Sequence, residues 1–137
     1  IGFLPGSIDD KYLPWIRPIY DILYQIEGVE KTDQLIKDKI VEICPLFYIQ
    51  GRTFSNSIVI IDEAQNISKD GVEMVFTRLG KGSSMVFCGD PRQSLLDVKE
   101  TGLDRLIKLS GTVEGLSDYT LTTNFRNELV ERLLEIY

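Results

Sequence analysis

The sequence predicts an α/β fold, a mostly parallel sheet flanked by helices, and three consecutive stretches predict it. The first is the apolar run Ile58-Val59-Ile60-Ile61, whose continuity reads as a strand buried on both faces. The second follows Ser68, a helix-capping residue type, where Val72, Val75, Phe76 and Leu79 recur at helical spacing until Gly80 and Gly82 stop the pattern. The third is a second apolar strand, Ser84-Met85-Val86-Phe87-Cys88. A strand, a helix and a strand joined by a crossover of this length are expected to lie parallel and right-handed. Both carboxyl ends then reach the same edge of the sheet, where open α/β sheets bind ligands.

At that edge the first strand runs straight into two adjacent carboxylates, Asp62 and Glu63. A Walker B element is built this way: in P-loop enzymes that cleave phosphates, the first acid holds Mg²⁺, often through a water, and the next orients or deprotonates the attacking water. Asp62 is therefore the candidate metal ligand and nucleotide-site residue, and Glu63 the candidate catalytic one. The plainer reading is a core strand ending in a solvated acidic turn.

The second strand ends in its own polar cluster, Gly89-Asp90-Pro91-Arg92-Gln93. Gly89 permits close backbone approach, Pro91 fixes the turn, and the Gln93 amide can sense a terminal phosphate or its water. Asp90 would stand behind these groups at the nucleotide site. Alone, the cluster reads as an ordinary turn. Its crossover distance from the Asp62-Glu63 strand favours the functional reading.

A third strand is expected at Tyr119-Thr120-Leu121-Thr122-Thr123, followed by the polar turn Asn124-Phe125-Arg126-Asn127 and a helix carrying Leu129, Val130, Leu133, Leu134 and Tyr137. Arg126 stands at the junction, where a guanidinium can neutralise charge on a transferring phosphate, in its own subunit or a neighbour's. A surface arginine near a helix start is the ordinary alternative.

Elsewhere the chain opens on a turn-rich loop, Gly2-Phe3-Leu4-Pro5-Gly6, and continues into an apolar stripe of Trp15, Ile16, Ile19, Ile22, Leu23 and Ile26 at helical spacing. Pro18 is expected to start or kink that helix, and Trp15 to lie in the core. Residues 28–33 read as a polar surface connection. Ile40-Val41-Glu42-Ile43 and Leu46-Phe47-Tyr48-Ile49 read as short strands separated by Pro45. Residues 102–109 read as a short helix ended at Gly111.

These residues resemble, over essentially the whole chain, the PhoH family of P-loop ATPases, related in their core to superfamily 1 helicases. The resemblance is carried by Gly2-Phe3-Leu4-Pro5-Gly6 with Arg17-Pro18-Ile19-Tyr20-Asp21, by Gly51-Arg52-Thr53, by Ile60-Ile61-Asp62-Glu63-Ala64-Gln65-Asn66, and by Gly89-Asp90-Pro91-Arg92-Gln93. It implies a RecA-like nucleotide-binding fold that uses ATP and Mg²⁺ and assembles as a homo-oligomeric ring such as a hexamer. It also implies helicase-like roles on RNA or single-stranded DNA. By motif match Asp62 and Glu63 take the Walker B roles and Gln93 the phosphate-sensing one. Arg126 resembles the arginine of the helicase Asn-Phe/Tyr-Arg motif.

One departure from the family pattern matters. No phosphate-cradling loop of the form Gly, four residues, Gly-Lys-Ser/Thr occurs in the 137 residues. The nearest imitation, Gly80-Lys81-Gly82-Ser83-Ser84, follows a helix and precedes a strand, whereas a phosphate loop must follow a strand and open a helix. Family members carry that loop upstream, so the chain is expected to be one partial domain, residues 1–137, lacking the amino-terminal strand and P-loop. By itself it should bind nucleotide poorly.

Composition narrows the alternatives. A chain with 43% hydrophobic and 26% charged residues can bury a core, and no apolar stretch reaches membrane length or resembles a signal peptide, so a cytoplasmic protein without membrane contact is expected. The absence of histidine leaves carboxylates, Arg and Lys for any acid-base chemistry. Cys44 and Cys88 read as buried free thiols without metal-ligand spacing. A net charge of −6 disfavours a broad nucleic-acid surface, so such contacts must be local or need the ring. Arg52 and Thr53 are the first candidates and Arg17 and Arg92 lesser ones, each weighed against an idle surface arginine or loop residue. Two further functions stay open. One is a non-catalytic module for oligomerisation or protein interaction. The other is a metal nuclease in which Asp62 and Asp90 share an ion, to which Gln93 and Arg126 fit less well than to nucleotide hydrolysis.

Overall fold

The computed structural model describes residues 8–97, 99–123 and 128–136. The chain divides into two compact units, residues 1–50 and 51–137.

The first unit is a helical pair. Helix α1 spans Ile8–Glu27 and runs through both Pro14 and Pro18, so Pro18 does not start it. Gly28, at φ 81, makes the turn that only glycine adopts easily, and helix α2, Val29–Lys37, begins at once. The stretch read as a polar connection is therefore helical. Thr32 is buried between the pair, where its hydroxyl donates to the Leu23 carbonyl at 3.1 Å, and the Tyr24 hydroxyl donates to Asp33 at 3.0 Å. Beyond α2 the two expected strands are absent. Residues 40–45 carry no regular pairing, and Leu46–Ile49 forms a 3-10 turn that buries Ile49. Pro45, which has no N–H to give a ladder, leads into the turn, and its carbonyl accepts from the Tyr48 N–H at 2.9 Å.

The second unit is built around a parallel pair. Strands β1, Ile58–Ile61, and β2, Ser84–Phe87, pair in register from Ile58 opposite Ser84 to Ile61 opposite Phe87. Helix α3, Lys69–Phe76, makes the crossover. Its cap is the predicted Ser68, whose hydroxyl oxygen accepts from the Gly71 N–H at 3.2 Å. Helix α4, Gly102–Leu109, is closed by a capping box: Thr101 Oγ1 accepts from the Asp104 N–H at 3.1 Å and Asp104 accepts from the Thr101 N–H at 2.8 Å. Gly102 lets α4 lie against α3, because a Cβ there would meet Val72 Cγ2 at 2.3 Å. Ile61, Ala64, Val72, Val75 and Leu103 form the core beneath the carboxyl ends of the strands.

Two expectations about this unit are corrected. Strand β1 buries one face only, since Ile58 and Ile60 are 77% and 68% exposed while Ile61 is 8% exposed. Residues 119–123 form no strand, and Tyr119 and Leu121 are exposed. Helix α5 spans Glu128–Ile136, as the apolar spacing predicts, with Leu129 and Leu133 exposed. The opening loop at residues 2–6 and the turn bearing Arg126 lie outside the described residues, as does the side chain of Trp15, expected in the core. Among the described residues no helix is long and apolar enough to cross a membrane.

Candidate functional site

The parallel register brings the ends of β1 and β2 to one rim. The ladder continues one step past the strands, where the Cys88 N–H donates to the Ile61 carbonyl and the Ala64 N–H donates to the Cys88 carbonyl, each at 2.8 Å. Asp62 and Glu63 on one chain segment and residues 89–93 on the other leave the sheet together. Asp62 and Glu63 are exposed, as are Gly89 and Gln93, and Asp90 is half-buried.

Glu63 sits in the left-handed region, φ 52 and ψ 37, which a residue with a Cβ adopts at a cost on the order of 1–3 kcal/mol. The strain is held from both sides. The Ala64 N–H is tied to the Cys88 carbonyl just past β2, and the Glu63 carbonyl accepts from the Asn66 N–H at 3.0 Å. Asp62 Oδ1 accepts from the Glu63 N–H at 3.0 Å, which fixes the carboxylate over the turn.

Gln65, given no role by the sequence reading, links the two halves of the rim. It lies in the 3-10 turn Ala64–Asn66 and is 2% exposed. Its Nε2 donates to Glu63 Oε2 at 2.6 Å, and its Oε1 accepts from the Asp90 N–H at 3.2 Å. The neighbouring backbone is stitched likewise: Ser94 Oγ donates to the Gln65 carbonyl at 3.0 Å, and the Leu95 N–H donates to Asn66 Oδ1 at 2.9 Å. The available signal was an amide two residues beyond the acids, between apolar Ala64 and the next turn. Nothing in the sequence says that it is buried.

Asp90 caps the 3-10 turn Pro91–Gln93 and is fully engaged. Arg92 grips both of its oxygens, and Gln93 Nε2 donates to Oδ2 at 3.1 Å. The Arg92 side-chain hydrogen bonds hold the Asp90 carboxyl down at about 2, against the opposing effect of burial. Arg92 and Gln93 thus both donate to Asp90.

The remaining candidates stand elsewhere. Arg52 and Thr53 precede the amino end of β1, about 13 Å of strand away from the acids at 3.3 Å per residue. The Arg52 guanidinium lies over the Phe54 ring at 5.0 Å. Arg17 is on α1, in the other unit. Lys81 and Gly82 precede β2 at its amino end, opposite the acidic rim, so the Gly80–Ser84 stretch faces away from it. Its first glycine serves packing, because a Cβ at Gly80 would meet the Phe54 carbonyl at 2.5 Å. Cys88 is exposed and Cys44 half-buried, which corrects the reading of both as buried thiols.

Among the described residues no group of three or more His, Cys, Asp or Glu side chains could enclose a metal ion. Asp62, exposed at the rim, is a hard oxygen donor of the type that could hold Mg²⁺.

A family model for PhoH-like proteins matches residues 1–137. The chain belongs to the PhoH family. Members of this family are P-loop proteins of the ATPase kind. The chain is 40% identical to a PhoH-like protein of Synechocystis sp. over 140 residues, which takes in 100% of this chain and 43% of the relative. It is 39% identical to one from Bacillus subtilis, again over 100% of the chain and 44% of the relative. With the Escherichia coli protein PhoH it shares 42% identity over 95 residues, 68% of the chain and 27% of that protein. The chain therefore spans less than half the length of these PhoH relatives.

Proposed function

We propose that this PhoH segment supplies the hydrolytic rim of an ATPase site in the full-length protein. The observation that carries the reading is the parallel β1–β2 register, which sets Asp62 and Glu63 beside the turn at residues 89–93 on one exposed edge. ATP would supply the phosphorus centre, and Mg²⁺ would supply charge neutralisation for the phosphates. Asp62 would hold the metal, directly or through water. Glu63 orients the attacking water and takes its proton as the water oxygen bonds to the γ-phosphorus and the bond to the β–γ bridging oxygen breaks, releasing ADP and phosphate. Gln93, on exchanging its bond to Asp90 for one to phosphate, senses the terminal group, and Arg126 stabilises the charge that develops.

The family resemblance extends the reading to a homo-oligomeric ring that uses hydrolysis to remodel RNA or single-stranded DNA, with Arg52 and Thr53 as local contacts. An overall charge of −6 confines such contacts to small patches.

The test is the metal dependence of nucleotide binding in the full-length protein. Asp62→Asn should weaken binding of Mg²⁺–ATP by about tenfold or more while leaving metal-free binding unchanged. Equal Mg²⁺ dependence in the variant and the parent would remove Asp62 from the site.

A further inference from the structure

Glu63 is exposed, and a free glutamate at a rim samples several rotamers, of which few aim a carboxylate oxygen at one water. Here one oxygen is tethered. The planar amide of Gln65 is fixed at its carbonyl end by the Asp90 N–H, and this fixes the direction in which Nε2 donates to Glu63 Oε2. With Oε2 engaged, Oε1 is the oxygen left to receive the proton of a water. The amide has no room to turn away, being 2% exposed. Gly89 closes the clamp: a Cβ at that position would lie 2.3 Å from Gln65 Oε1, so any side chain there pushes the amide off the Asp90 N–H.

We propose that Gln65 is a positioning residue, a buried strap that lets the turn of the second strand hold the Glu63 carboxylate in its hydrolytic orientation. The inference rests on the ATPase reading of the rim and deepens it. It also gives Gly89 a task distinct from admitting phosphate, namely leaving space for the strap.

The experiment compares ATP turnover by the full-length protein and its Gln65→Leu, Gly89→Ala and Glu63→Gln variants, together with the double variants Gln65→Leu/Glu63→Gln and Gly89→Ala/Glu63→Gln. Leucine keeps the volume of Gln65 and removes both hydrogen bonds. Gln65→Leu is expected to lower kcat by about 10- to 100-fold with KM and the affinity for a non-hydrolysable ATP analogue within about twofold, since misplacing a reacting group costs rate rather than binding. Gly89→Ala should repeat that split while keeping the amide. In the Glu63→Gln background neither substitution should slow turnover further, because the strap acts only through Glu63. A residue that merely supported the fold would lower turnover in both backgrounds alike.

Parental kcat in Gln65→Leu and Gly89→Ala, alongside a Glu63→Gln variant slowed by about 10²- to 10⁴-fold, would overturn the strap and leave the ATPase reading standing. Additive losses in the double variants would overturn it too. Parental turnover by Glu63→Gln would remove the reading itself, and the strap with it. If Gln65→Leu lacks a cooperative unfolding transition, the Gly89→Ala pair decides by the same comparison.

Discussion

The Arg92 guanidinium holds Asp90 by both carboxylate oxygens, Nε donating to Oδ1 at 3.1 Å and Nη2 to Oδ2 at 3.0 Å. The backbone N–H of Arg92 adds a third bond to Oδ1 at 3.0 Å. A fork of this geometry favours the charged carboxylate, so the Asp90 pKa falls from 3.8 to about 2. The depressed value means that the stabilising contribution is fully present above about pH 4 and is lost as pH falls toward 2. Arg92→Ala should return the Asp90 pKa toward the ordinary carboxylate range, as read by NMR titration of its side chain. A midpoint that stays near 2 in the variant would show that Arg92 is not the cause.

Glu100 is paired with both Lys69 and Lys108, and hydrogen bonds from Lys108 first and Lys69 second hold its carboxyl down at about 2. The sign is the same as for Asp90, with the contribution lost on acidification from the ordinary glutamate range downward. Lys108→Met should raise the Glu100 titration midpoint more than Lys69→Met does. Equal shifts, or none, would contradict the ordering.

The contact between α3 and α4 depends on the absence of a side chain at position 102. A Cβ there would also approach the Ser68 carbonyl to 2.8 Å, so relief requires backbone movement. Gly102→Ala should destabilise the fold by about 1–3 kcal/mol, the usual cost of overpacking. Chemical denaturation checks this, and an unchanged midpoint would mean that the helices sit farther apart.

The capping box at the start of α4 makes a smaller prediction. Thr101 is 3% exposed, and its hydroxyl both accepts from the Asp104 N–H and donates to the Asp104 carboxylate at 2.9 Å. Thr101→Ala should cost about 1–2 kcal/mol and Thr101→Ser less than half of that, because serine restores the oxygen. The same denaturation measurement separates the two.

The parts of the molecule that were legible in the sequence are those decided by local chemistry. Apolar runs gave β1 and β2, Ser68 gave the cap of α3, and the run of residues 102–109 ended at Gly111 gave α4. Crossover topology then puts Asp62 and Asp90 on a common edge. What failed depends on the rest of the chain. Four apolar residues in β1 cannot say whether both faces are covered, and the face bearing Ile58 and Ile60 is open. The Leu46–Ile49 run has strand-like residues but pairs with no strand among the described residues, and it folds into a single turn. The mostly polar sequence of α2 hid a helix that packs through Thr32. Gln65 escaped notice because its role follows from burial and from two partners on different segments, which no local pattern records.

The most direct measurement of the central claim is single-turnover ATP cleavage by the full-length protein carrying Glu63→Gln, with nucleotide affinity measured on the same sample. An exposed carboxylate at the rim that takes the proton of the attacking water predicts parental affinity with cleavage slowed by about 10²- to 10⁴-fold, the usual contribution of a general base. Cleavage at the parental rate with nucleotide bound would contradict it.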